Sequence, residues 1–166
     1  ATVGGIVSIS GSGFVCEGTN STELTLSGYT GSIIRWESST DGLLWSPLIN
    51  AEATYTAVDV SASTRYRAVI KSGDCPEAYS SEAIINITPA SVGGSLSGGE
   101  TVCEGTNSTE LSLSAYTGLV QRWEYSTDGS TWTGISNTTD SYIATDLSLT
   151  TQFRAVVKSG DCPEAT

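Results

Sequence analysis

The side chains able to do chemistry in this chain are few, and they come in matched pairs. Cys16 and Cys75 answer to Cys103 and Cys162, Trp36 and Trp45 to Trp123 and Trp132, and Tyr29 to Tyr116. Every pair is separated by the same 87 residues. Four cysteines with no C-x-x-C spacing and no histidine favour disulfides over zinc, so one bridge per copy is expected, Cys16 to Cys75 and Cys103 to Cys162. The lack of histidine also removes the usual base for a Ser or Cys nucleophile. Ser72 follows Lys71 at a hairpin end in both copies, a structural position. Glu37 and Asp41 would have to face each other across a cleft to cleave a glycosidic bond, and a small sandwich offers little cleft. No enzyme is expected.

Acidic residues recur as well: Glu17, Asp59, Asp74 and Glu77 return as Glu104, Asp146, Asp161 and Glu164. Calcium takes about six to eight oxygen ligands, but no D-x-D-x-D spacing is present. The expectation is a solvated acidic surface with no cofactor and no assigned metal ligand; a structural calcium between domains is the alternative. Trp45, Trp132, Tyr29 and Tyr116 are the candidates for ligand contact, because an exposed aromatic ring stacks on a sugar or joins a protein interface. Trp36 and Trp123 are assigned to the core. Retention in both copies is equally what packing demands, so Trp45 and Trp132 are read first as packing residues.

The net charge is −11, from 18 acidic and 7 basic residues. Such a field repels phosphate backbones and anionic lipid, which argues against nucleic acid or membrane surfaces as partners. No apolar run approaches the ~20 residues of a membrane helix, and the N-terminus carries no basic segment followed by an apolar core. The chain therefore reads as starting inside a mature secreted protein whose export signal and anchor lie elsewhere.

These residues are positioned by a repeat. About three-fifths of the positions from Cys16 to Ala78 are identical to those 87 residues further on, without a gap, including CEGTNSTEL, STDG and KSGDCPEA. Within each copy the apolar residues alternate with polar ones. Leu24 and Leu26, then Ile34 and Trp36, then Tyr66, Ala68 and Ile70, then Ile85 and Ile87 are expected to point inward. The second copy keeps Leu111, Leu113, Trp123, Phe153, Ala155 and Val157. Turn signals stand between the runs, with Asp41-Gly42 and Asp128-Gly129 suited to tight hairpins. The fold class is all-β: two tandem Ig-like or fibronectin-III-like antiparallel sandwiches with one disulfide each, residues 1–89 and residues 90–166. The second copy is expected to lack its last strand, through truncation or donation by a neighbour. A loop of about 60 residues closed by each bridge would add roughly 4 kcal/mol to a marginal core.

The ordered set VGG-x-x-S, VCEGTNST-x-L-x-L, G-x-x-x-RWE-x-STDG, YR or FR before AV, and KSGDCP resembles the Ig-like repeats of large secreted surface proteins of the Bacteroidetes, including gliding-motility adhesins. That resemblance implies an extracellular, cell-surface filament whose repeats are rod-like spacers and interaction surfaces. Its partners would be neighbouring repeats, other copies in a fibre, and surface polysaccharide. Val60-x-Ala62-x-Thr64-x-Tyr66 is locally similar to fibronectin type III modules. S-T-D-G-x-x-W is similar to the Asp-box of sialidase propellers, one residue short, which implies only that Asp41 and Asp128 accept backbone hydrogen bonds in their turns. The alternative function is a carbohydrate-binding accessory module of a secreted hydrolase.

Overall fold

A computed structural model describes residues 1–166 and divides them into two compact units, Ala1–Thr88 and Pro89–Thr166. All regular structure is β, and no helix is long and apolar enough to cross a membrane. The first unit contains β1 (Ile6–Ile9), β2 (Phe14–Cys16), β3 (Ser21–Ser27), β4 (Ser32–Ser39), β5 (Ser46–Leu48), β6 (Thr54–Val58), β7 (Thr64–Lys71), β8 (Ala78–Tyr79) and β9 (Ala83–Thr88). One sheet has the order β1-β3-β6, the other β2-β9-β7-β4-β5, with β8 pairing β7. The second unit contains β10 (Ser95–Gly98), β11 (Ser108–Ser114), β12 (Leu119–Ser126), β13 (Thr133–Ile135), β14 (Ser141–Thr145) and β15 (Gln152–Lys158). Its sheets run β10-β11-β14 and β13-β12-β15.

Period-two alternation produces the core as expected on β3, where Leu24 and Leu26 are buried between exposed Glu23, Thr25 and Ser27. On β7 the inward set is Tyr66, Ala68 and Ile70, and on β9 Ile85 is fully buried. The inner faces of both sheets close over Trp36, whose indole N–H donates to the Glu52 carbonyl at 3.0 Å; Trp123 does the same to Thr139 at 2.9 Å. Rings stack across each interior: Trp36, Tyr55 and Tyr66 at 5.8 Å between neighbours, then Trp123, Tyr142 and Phe153 at 5.8 and 5.7 Å. Such contacts add about 0.5–1.5 kcal/mol each beyond area burial.

Three expectations are corrected. Ile34 does not share the inward face of Trp36, because a bulge between Ile33 and Arg35 shifts the alternation by one. Ile33 is buried instead and Ile34 is exposed; Val120 and Gln121 repeat this at the second bulge. The sheets are not wholly antiparallel, since β2 runs parallel to β9 with Cys16 opposite Thr88.

The third correction concerns the cysteines. Cys16 and Cys162 are disulfide-bonded, whereas Cys75 and Cys103 are free thiols, so neither bridge expected within a copy forms. The reason is strand geometry. Cys16 sits at the foot of its unit, beside Thr88 and near the start of β7, where the Ile87 N–H meets Ser63 Oγ. Cys75 follows the far end of β7, its N–H donating to the Ser72 carbonyl. Eight extended residues separate these ends by roughly 23 Å, against the ~4–7 Å between Cα atoms that a disulfide tolerates. Cys103 and Cys162 are divided by β15 in the same way.

Candidate interaction surface

The outer face of the β4–β7 sheet carries a charged network that is copied in both units. Glu37 is buried there, its Oε1 accepting from Arg35 Nε and its Oε2 from Arg67 Nε, both at 2.8 Å. The Arg67 guanidinium lies 3.9 Å from the Trp45 ring centroid and 4.1 Å from that of Tyr79, so it is held between two aromatic faces. Arg35 reaches onward to Glu77 at 3.4 Å. In the second unit Arg122 and Arg154 donate to Glu124 at 2.8 and 2.6 Å, Trp132 covers Arg154 at 4.0 Å, and Glu164 takes two bonds from Arg122 at 3.0 Å. Burial pushes the Glu124 carboxyl up, but the bonds from Arg154 and Arg122 outweigh it and hold the group below its ordinary range. Glu164 is likewise held low by Arg122.

The STDG hairpins perform the role expected of them. Asp41 Oδ1 accepts from Ser39 Oγ at 3.0 Å and from the N–H groups of Leu43 and Leu44 at 2.8 Å, while Gly42 N–H donates to Ser39 Oγ. Asp128 repeats this with Ser126, Ser130 and Thr131. The backbone donors, led by Leu44 and by Thr131, hold both carboxyls well below the usual carboxylate range. Gly42 and Gly129 have φ of 75° and 72°, which an L side chain rarely adopts.

Trp45 and Trp132 are thus half-buried, with one face on an arginine. Tyr29 and Tyr116 are half-buried too, but pack against the core clusters in the turns before β4 and β12. Trp45 and Tyr29 therefore lie on opposite sides of the second sheet and form no shared platform. Of the acidic set, Glu77 and Glu164 are bound to arginines, and no three acidic or cysteine side chains gather into a group able to hold a metal ion.

Two features were not read in the sequence. The first is Asn20. Its Nδ2 donates to the carbonyls of Cys16, Gly18 and Val60, its Oδ1 accepts the Val60 N–H at 2.9 Å, and its own carbonyl accepts from Asp59. Asn107 makes the same clamp on Leu147. The second is a difference between the copies. Leu43, Leu44 and Ile49 are 83%, 79% and 109% exposed, and with exposed Ile34 they stand where the second unit has Ser130, Thr131, Ser136 and Gln121. A comparison of the copies position by position would have revealed these exposed apolar residues, since shared residues serve packing and unshared exposed ones do not.

No curated protein matches the chain. Among solved structures, a bacterial ice-binding adhesin, described in connection with host cell surface retention, aligns at TM-score 0.51 and 8% identity over 99% of this chain and 62% of the adhesin chain. The chain thus spans less than two thirds of that neighbour. Two fibronectin type III domains of chicken tenascin align at TM-score 0.42 and 12% identity, over 98% of this chain and 94% of theirs. The chicken CNTN1 FN1–FN3 domains align at 0.38 and 18%, over 100% and 64%. At these identities the first likeness speaks for the fold alone, an Ig-like or fibronectin-III-like sandwich. A profile described as a domain of unknown function, DUF8696, matches residues 5–89 and again residues 92–166, and the chain belongs to that family, in two copies.

Proposed function

We propose that this chain is a structural and adhesive repeat of an extracellular cell-surface protein, spacing an interaction surface from the cell and contributing part of it. The observation that carries the reading is that every notable polar network is duplicated and turned to packing. The Arg35-Glu37-Arg67 and Arg122-Glu124-Arg154 triads tie β4 to β7 and β12 to β15, the two Asp hairpins hold the turns after β4 and β12, and the two Asn clamps join the segment before β3 or β11 to the one after β6 or β14. A repeated module whose conserved-by-copy residues hold it together suits a load-bearing array. A net charge of −11 and disulfide-bonded Cys16 and Cys162 favour an oxidising, extracellular setting. The adhesin neighbour agrees in fold.

The exposed apolar side chains of Ile34, Leu43, Leu44 and Ile49, absent from the second unit, favour contact by the first unit rather than equally by both. The carbohydrate-binding alternative rests on the outward faces of Trp45 and Trp132. A polysaccharide array probed with the chain and with its Trp45→Ala and Trp132→Ala variants separates the readings. Specific binding lost in folded variants establishes carbohydrate recognition. No binding, with stepwise unfolding of the chain when stretched in an optical trap, leaves the spacer reading in place.

A further inference from the structure

Three features of the first unit have no counterpart in the second, and they complement one another. The first is a protrusion in the turn between β4 and β5, where Leu43 and Leu44 stand exposed beside Asp41. That carboxylate takes three hydrogen bonds on Oδ1, which keep it charged at neutral pH. The second is a groove of about 520 Å³ walled by Ile34, Pro47, Leu48 and Ile49, with Arg35 beside them. The third is the state of that arginine: Arg35 commits Nε and Nη2 to Glu37 and, at 3.4 Å, to Glu77, leaving the Nη1 donors for another carboxylate. In the second unit the protrusion carries Ser130 and Thr131, the corresponding groove has Gln121, Gly134 and Ser136, and Glu164 takes both Nη1 and Nη2 of Arg122 at 3.0 Å.

Protrusion and groove sit at opposite ends of the β4–β5 ladder, since Arg35 and Ser39 are separated by four residues of β4, roughly 13 Å. β5 is the edge of its sheet. Two copies set edge to edge about a two-fold axis run antiparallel, which brings each protrusion to the other's groove and closes the pair with two identical contacts. Pro47, in the middle of β5, offers no N–H, so the edge is suited to side-chain docking rather than to extension of the sheet. We infer that the first unit pairs with the first unit of a second copy of this chain, Leu43 and Leu44 of each copy seated in the groove between Ile34 and Ile49 of the other, with Asp41 facing Arg35. Burial of the leucines supplies the attraction, and the carboxylate and guanidinium set the register. A contact of this kind falls below about 1,200 Å², and the net charge of −11 opposes it, so the dissociation constant should be roughly tens of micromolar. The pairing names the partner of the first unit's proposed contact and rests on that reading; the experiment reads association alone, so its failure leaves the spacer role and the polysaccharide test untouched.

The test is sedimentation velocity on this chain, its free thiols capped with iodoacetamide, in about 0.15 M salt and up to roughly 200 μM protein, well above the expected constant. A reversible monomer–dimer equilibrium with no larger species is expected. The double variants Leu43→Ser with Leu44→Thr, and Ile34→Gln with Ile49→Ser, introduce residue types that the second unit accommodates at the same positions, so both should fold, as thermal melts would verify. Each is expected to weaken dimerisation at least about tenfold. Mixing them restores one intact contact, the groove variant's leucines in the protrusion variant's groove, so the mixture should dimerise more than either alone. A chain monomeric throughout, a ladder of larger oligomers, a dimer that either double variant leaves unchanged, or a mixture no more associated than its components overturns the inference.

Discussion

Asn20 offers the sharpest test of how the modules are held together. Its side chain satisfies both backbone groups of Val60, donating to the carbonyl at 2.8 Å and accepting from the N–H at 2.9 Å, while fixing the Cys16 carbonyl at 3.0 Å. Asn20→Ala leaves the two Val60 groups without partners. A buried unsatisfied group costs about 1–3 kcal/mol, and because water reaches this unit's foot the lower end applies to each, for about 2 kcal/mol in all. In a module of this size each kcal/mol moves the midpoint by about 4–8 °C, so calorimetry should show the first unit's transition fall by about 8–16 °C. Asn20→Asp should be worse at pH 7, since it keeps the acceptor but sets a carboxylate against three carbonyl oxygens. That carboxyl would titrate above the ordinary ~3.9, so the stability it retains at low pH is lost as pH rises through its folded pKa. Asn107 variants supply the parallel case. A loss under ~0.5 kcal/mol for Asn20→Ala, or an Asp variant more stable than the Ala variant at pH 7, refutes the clamp argument.

Acid should destabilise the chain. Asp41, Asp128, Glu124 and Glu164 are all held below their ordinary values, so the stability they contribute is present above the unfolded pKa near ~4 and is lost as pH falls through the folded values. Thermal melts in high salt, which screens the net charge of −11, should be flat from neutral pH to about 5 and decline below about 4; a midpoint that rises on acidification contradicts this. Trp45→Ala should cost about 0.5–1 kcal/mol through the lost face on Arg67 plus a share of its half-burial, and leave the fold intact. Trp36→Ala should cost about 3–5 kcal/mol, and equal urea midpoints for the two would contradict their placement. Gly31→Ala should cost at least about 2 kcal/mol in the same assay, because φ is +124° and the added Cβ would stand 2.6 Å from the Lys71 carbonyl oxygen.

Much of the fold follows from local pattern. Leu24 and Leu26 on β3, and Tyr66, Ala68 and Ile70 on β7, announce their inward face by alternation alone, because successive side chains of a strand must point oppositely. The Asp41 and Asp128 turns are legible for a similar reason, since every bond they make lies within three residues. The bulge at Ile34 is not, because it inserts one residue whose effect shows only against the partner strand β7. The Glu37 triad joins residues 30 apart, and the Asn20 clamp residues 40 apart, so neither has a local signature.

The cysteines mark the boundary most clearly. Sequence by itself determined that the four cysteines come in two equivalent kinds, each repeated 87 residues on. That the two cysteines of one copy stand at opposite ends of it was decided only by the tertiary structure. The parallel pairing of β2 with β9 sends Cys16 to the foot of its unit, while β7 carries the chain to Cys75 at the head, and a disulfide cannot span the length of a strand.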